Sequence, residues 1–221
     1  MKKALRVVVA LGVVILSASM ASALPIGPLQ IGDKIFDEFS VTGCDPALVN
    51  VTTIGSGVLG DWYGIVIQGP FVSPLGGVAD FGLLYSVRTA SGQKLITDIE
   101  QGFNLTSGGN GGTVSVAETV FGGGFGVQPQ IGQSTVGFVL TGDYTDPPAE
   151  PIQGDHLILD QGPWAKVYVT KDIFVTGNPE GRAGATIIIQ RFSQSIPDGG
   201  ATVALLGLAL TGIGILRRKL A

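Results

Sequence analysis

Cysteine and histidine are almost absent: the 221-residue chain has one of each, Cys44 and His156. A lone thiol has no partner within the chain, so a disulfide framework is excluded. One imidazole and one thiol cannot assemble a Cys/His metal cluster either. Charge is scarce, at 14% of residues against a usual ~25%. With 45% apolar residues, the chain falls outside the disordered class, which combines low hydrophobicity with high net charge. Between its two ends no segment repeats apolar residues every 3.6 positions, so a helical body is not expected. Glycine is what the chain has in excess, 35 residues where ~7% is usual. No G-X-Y period accompanies it, which excludes a collagen-like rod.

The first 23 residues have the three parts of a secretory signal peptide. Lys2, Lys3 and Arg6 form a positive start, Val7–Leu16 an apolar stretch, and Ala21-Ser22-Ala23 a small-x-small site that fits signal peptidase. An apolar stretch this short is not expected to span a bilayer, which takes ~20 residues. Cys44 lies too far downstream to serve as a lipoprotein cysteine.

The other end also has three parts. Ile196-Pro197-Asp198-Gly199-Gly200 forms a Pro/Gly turn, residues 199–216 are free of charge, and Arg217, Arg218 and Lys219 close the chain. An uncharged run of this length is at the lower limit for a spanning helix. The basic end is expected to stay cytoplasmic, leaving the body outside. This tail resembles the PEP-CTERM class of sorting signals, in the variant written VPDSG-CTERM. Pro197, Asp198 and Gly200 match its Pro, Asp and final Gly, while Ile196 stands for Val and Gly199 for Ser. The resemblance implies recognition by an exosortase, a membrane-embedded transpeptidase-like enzyme, with removal or transfer of the tail.

Between these ends lies one expected domain, residues 24–196. It holds sixteen of the seventeen acids but only seven of the thirteen bases, a balance of about −9. That sign disfavours nucleic acid, whose phosphates need clustered Lys and Arg. The body reads as strands broken by Gly, Pro, Asn and Asp: 49–54, 62–68, 78–87, 94–100, 113–121, 135–140, 165–170 and 185–192. Residues 157–160 and 173–176 are too short to classify. Eight or nine such runs predict an all-β fold, an antiparallel β-sandwich resembling a jelly roll. Gly108–Gly112 and Gly122–Gly126 are expected to be turns between strands, where positive φ suits Gly and Asn. Neither opens a helix as a phosphate loop would.

A second resemblance covers the body. Ile31-Gly32-Asp33-Lys34-Ile35-Phe36-Asp37-Glu38-Phe39 near its start, with Lys171-Asp172-Ile173 and Phe192-Ser193-Gln194 near its end, is similar to a group of uncharacterised bacterial PEP-CTERM proteins. That group implies a surface-displayed β domain and brings no catalytic residues.

Candidates for chemistry are few. His156 beside Asp155 is the one imidazole a serine-type hydrolase could use, yet no GxSxG elbow exists. Asp98 and Glu100, two apart, are expected to face the same side of a strand, the minimum a glycosidase needs. Asp143, Asp146 and Glu150, with Asp155 and Asp160, fall in a polar, Pro-rich stretch without EF-hand spacing, where solvated loop charge competes with a calcium loop. Trp62-Tyr63 and Trp164 would stack on sugar rings if they shared one sheet face; core packing is the commoner role. Asn50-Val-Thr52 and Asn104-Leu-Thr106 match the glycosylation sequon. The expectation is an exported, non-enzymatic protein of the cell surface or extracellular matrix, needing no cofactor or metal. Before processing it is anchored in the inner membrane by its tail. The alternative is a carbohydrate-binding jelly roll that engages extracellular polysaccharide.

Overall fold

The computed structural model describes residues 22–24, 26–55, 62–90, 95–143 and 153–195. Period-two burial dominates them, as it must where strands lie on a common core. Along Lys166–Gly177 the side chains of Val167, Val169, Lys171, Ile173 and Val175 are buried, and the intervening ones are not. The strands are β1 (Ser22–Ala23), β2 (Leu29–Ile31), β3 (Lys34–Val41), β4 (Asn50–Gly55), β5 (Trp62–Val72), β6 (Val78–Thr89), β7 (Leu95–Phe103), β8 (Thr106–Phe121), β9 (Gln130–Asp143), β10 (Gln153–Ile158), β11 (Lys166–Gly177) and β12 (Gly181–Ser195). The one helical element among the described residues is a 3-10 turn, Pro46–Leu48, whose N-cap Asp45 accepts a hydrogen bond from the Ala47 amide at 2.9 Å.

All strand pairings are antiparallel, and they form two sheets. In the first, β1 and β2 flank β3, followed by β6, β11, β8 and β9. The second runs β4, β5, β12, β7, β10. Strand β8 serves both: its Thr113–Phe121 part lies between β11 and β9, while Thr106–Gly109 pairs with Gly181–Gly184 of β12. The sheets close on one core, in which Phe36, Phe71, Leu83, Tyr85, Phe103, Ile188 and Phe192 are fully buried. Phe36 and Tyr85 of the first sheet both meet Phe192 of the second edge-on, at centroid distances of 5.5 and 6.4 Å.

The all-β antiparallel sandwich agrees with the alternation in the sequence, and each of the eight expected strands is present. Several expectations need correction. Gly108–Gly112 is not a turn: it lies inside β8, where small residues let the strand pass from one sheet to the other. Asp155 is not in a loop but in β10, paired with Gln101 of β7. The stretch 173–176 belongs to β11, and β3, whose residues carried only a resemblance, is a strand of eight residues. Gly122–Gly126 is a turn, with positive φ at Gly124 and Gly126.

The expected sorting motif Ile196–Gly200, the uncharged run and the basic end Arg217–Lys219 lie outside the described residues, as do residues 1–21 with Ala21. No helix among the described residues is long and apolar enough to cross a membrane. Ser22 and Ala23 pair with Val41 and Ser40, and the Leu24 amide donates to the Phe39 carbonyl at 3.0 Å.

Candidate functional site

Two constellations of polar side chains arise from the register, one on the outer face of the second sheet and one between the sheets. On the outer face, Arg191 of β12 stands opposite Glu100 of β7, which stands opposite His156 of β10. One row away, Trp62 of β5 is opposite Ser193, and Ser193 is opposite Asp98. Antiparallel partners share a face, so six side chains from four strands meet here. The Arg191 guanidinium lies 4.8 Å above the Trp62 ring and donates from Nη1 to Glu100 Oε1 at 3.0 Å. His156 Nε2 is 3.4 Å from Asp98 Oδ1, with the His156 side chain 59% exposed.

Asp98 and Glu100 face the same side, as their spacing predicts. Each carboxylate engages a basic partner from the neighbouring strand instead of facing the other across a cleft. A serine-type relay is not assembled either. Such a relay needs the imidazole between hydroxyl and carboxylate, and here β7 with Asp98 lies between Ser193 on β12 and His156 on β10. The face offers a guanidinium over an indole ring, bordered by carboxylates, suited to hydrogen bonding and aromatic contact.

Trp164 is not part of this face. It precedes β11, bridges Ile96, and donates from Nε1 to the Asp160 carbonyl at 3.0 Å. Its ring lies against Gly122, where a Cβ would come 2.6 Å from Cζ3. It packs against the core. Asn50 is exposed on β4. Asn104 instead turns its side chain to the irregular stretch of β12, accepting from the Thr186 and Ile187 amides at 3.0 and 2.7 Å. Asp143 ends β9, Asp160 is exposed after β10, and Asp146 and Glu150 lie outside the described residues. No group of three or more potential metal ligands occurs among the described residues.

The second constellation lies inside the sandwich. Across the first sheet, Ser134, Glu118, Lys171 and Leu83 occupy one inward row; across the second, Asp155, Gln101, Gln190 and Ile65 occupy another. Lys171 Nζ donates to Glu118 Oε2 at 2.6 Å and to Gln101 Oε1 at 2.9 Å. Gln101 Nε2 donates to Ser134 Oγ at 2.9 Å, and Ser134 Oγ in turn donates to Asp155 Oδ2. Burial disfavours the charged ammonium and lowers the Lys171 pKa, with Glu118 opposing the shift. Burial, then the Glu118 charge, raises the Tyr85 phenol well above its ordinary value. Glu118 Oε1, Tyr85 Oη and both amide atoms of Gln190 are buried without a hydrogen-bond partner.

In the sequence, Asp155 stands out only among polar-stretch acids and Lys171 only within a resemblance, and Glu118, Gln101, Ser134 and Gln190 not at all, although a signal is present. Val114, Val116, Glu118 and Val120 alternate, as do Val169, Lys171 and Ile173. An acid and a base therefore occupy positions that the period reserves for the interior.

Beyond the sandwich, residues 195–220 match the family model of the VPDSG-CTERM motif. The tail is a VPDSG-CTERM sorting signal. The match covers the tail and not the body. The VPDSG-CTERM motif implies an exported, membrane-anchored protein that is processed by an exosortase. No curated protein matches the chain.

Among solved structures, TmCBM61 in complex with β-1,4-galactotriose is similar at 14% identity and a TM-score of 0.32, over 69% of this chain and 86% of that one. The Glycosylation Associate Protein (Gap123) complex from Streptococcus agalactiae is similar at 11% identity and a TM-score of 0.30. It covers 76% of this chain, which spans 27% of that one. A family 11 carbohydrate-binding module from Clostridium thermocellum, in complex with a β-1,3-1,4-mixed-linked tetrasaccharide, gives 12% identity and 0.19, over 64% and 90%. At such scores these likenesses carry no argument about what this chain binds.

Proposed function

We propose that this chain is an exported, non-enzymatic protein of the bacterial surface or extracellular matrix. Signal peptidase removes residues 1–23, and an exosortase then reads Ile196–Gly200 and removes or transfers the tail. The observation that carries this reading is the VPDSG-CTERM motif at residues 195–220, which begins at the last residue of β12. Pro197 fixes φ, and Gly199 and Gly200 let the backbone enter a narrow cleft. A plain anchor needs only an apolar run and its basic flank, whereas a sorting signal also needs the turn. Pro197→Ala combined with Asp198→Ala is therefore expected to block processing, leaving a full-length, membrane-bound form. Equal processing and location of wild type and this double variant would reduce the tail to an anchor.

The outer face of the second sheet supports a second reading, an oligosaccharide platform. The indole of Trp62 with Arg191 over it, and Glu100 and Asp98 at its margin, bring an aromatic ring and hydrogen-bonding groups together, which matches the apolar and hydroxyl faces of a sugar ring. Binding to a glycan array by wild type, lost in Trp62→Ala and Arg191→Ala but kept in His156→Ala, would support it. Absence of binding by the wild-type sandwich would end it.

A further inference from the structure

The interior row contains an amine, an amide and a carboxylate in mutual contact and away from water. Lys171, Gln101 and Glu118 are each at most 3% exposed. Lys171 Nζ contacts Gln101 Oε1, one bond from the amide carbon Cδ, and Glu118 Oε2 holds the same nitrogen. Lys171 stands on β11 of the first sheet and Gln101 on β7 of the second. The contact therefore crosses the sandwich between residues 70 apart in sequence. An ion pair alone would leave unexplained why Glu118 Oε1 is buried without a partner, a costly arrangement unless the oxygen has a task or a bound water.

We propose that Lys171 and Gln101 become joined by an amide bond between Nζ and Cδ inside the folded protein, with Glu118 carrying the proton and one ammonia released. The Lys171 ammonium gives a proton to Glu118, and the neutral amine attacks Gln101 Cδ, forming the new N–C bond. As the tetrahedral centre collapses, the Cδ–Nε2 bond breaks, and the departing nitrogen takes a proton from Glu118, whose carboxylate is restored. The second proton on Nζ then passes to Glu118, so an ammonium–carboxylate pair and a primary amide become a secondary amide, a neutral carboxyl and one ammonia. No oxidant or co-reactant is required.

Three features favour this step. Burial makes the neutral amine accessible, since it lowers the cost of removing the Lys171 proton. The fold holds nucleophile and carbonyl together, the arrangement for which intramolecular reactions gain most. The leaving nitrogen already donates to Ser134, which leads to Asp155 on β10 and so towards the half-buried edge of the sandwich. The bond does not depend on how the tail is processed. Its consequence would be a covalent tie between the two sheets in a chain with one cysteine, where no internal disulfide can form.

The test is the intact mass of the exported protein under denaturing conditions, followed by tandem mass spectrometry of a proteolytic digest. The expected result is a mass lower by one ammonia and a branched peptide linking Lys171 to Gln101. Glu118→Gln, which removes the proton carrier, and Lys171→Arg, which keeps a cation but no amine nucleophile, are each expected to give the full mass and linear peptides. If Glu118→Gln fails to fold, Lys171→Arg carries the comparison, and the wild-type branched peptide stands without either. Full mass in the wild type with linear Lys171 and Gln101 peptides would overturn the proposal. Loss of ammonia without the branched peptide, or loss of water with a Lys171–Glu118 link, would overturn it as well.

Discussion

Lys171 and Glu118 are direct cross-strand partners on the inward face of the sandwich, their charged atoms 2.6 Å apart and their side chains at 0% and 1% exposure. Both charges were taken out of water, so each depends on the other. Removing one partner from a buried pair costs about 3–5 kcal/mol, whereas replacing both with apolar groups of similar volume is far milder. Relative to Lys171→Arg, which keeps the cation and forms no cross-link, Lys171→Met is expected to lose stability in that range, and Lys171→Met with Glu118→Leu to lose less than Lys171→Met alone. Urea unfolding of the single and double variants checks this; a double variant as unstable as the sum of the singles would show that the two residues do not act as a pair.

Asn104 secures the irregular stretch of β12. Its Oδ1 accepts from two successive backbone amides, and its Nδ2 donates to Thr186 Oγ1 at 3.1 Å. Asn104→Ala would leave two amides without a partner at a cost of about 1–3 kcal/mol. Asn104→Asp keeps the acceptor and is expected to cost less. Thermal melts of the two variants discriminate. The same contacts explain why a sequon match at Asn104 does not describe a free side chain.

Asp172 and Asp80 meet on the outer face of the first sheet. Burial, then a hydrogen bond and the charge of Asp80, raise the Asp172 pKa to about 6. The native state thus holds a proton that the unfolded chain releases near pH 4, so ΔG of unfolding falls as pH rises from about 4 to 6 and levels off above. Asp172→Asn should remove that slope and raise stability at neutral pH, by less than about 1 kcal/mol because the site is largely exposed to solvent. Urea midpoints measured across this pH range read both the sign and its loss.

Gly122 gives the Trp164 ring its place. With a Cβ only 2.6 Å from Cζ3, Gly122→Val must displace the indole, and overpacking of this kind costs about 1–3 kcal/mol. Trp62 lies on the opposite sheet's outer face and should be unaffected. Fluorescence of the variant in a Trp62→Phe background, where Trp164 alone emits, is expected to shift to the red. An unchanged spectrum would mean that the ring is not confined there.

Alternation in the sequence sufficed for eight of the strands and for the faces of their side chains. Alternation places Val167, Val169 and Ile173 on one side of β11 whatever the neighbours are, and it places Lys171 with them. A signal-like start and the VPDSG-CTERM tail are equally local, read from adjacent residues whose order is their function. Which strands become neighbours was decided only by the tertiary structure. Period two tells a side chain's face but not what faces it, and pairings such as β11 with β8, or β12 with β7, join segments dozens of residues apart. Hence Trp62 and Trp164, alike in sequence, part to an outer face and a core edge. Asp98, Glu100 and His156 gather beside Arg191, and Lys171 finds Gln101 across the sandwich because two sheets close on one core.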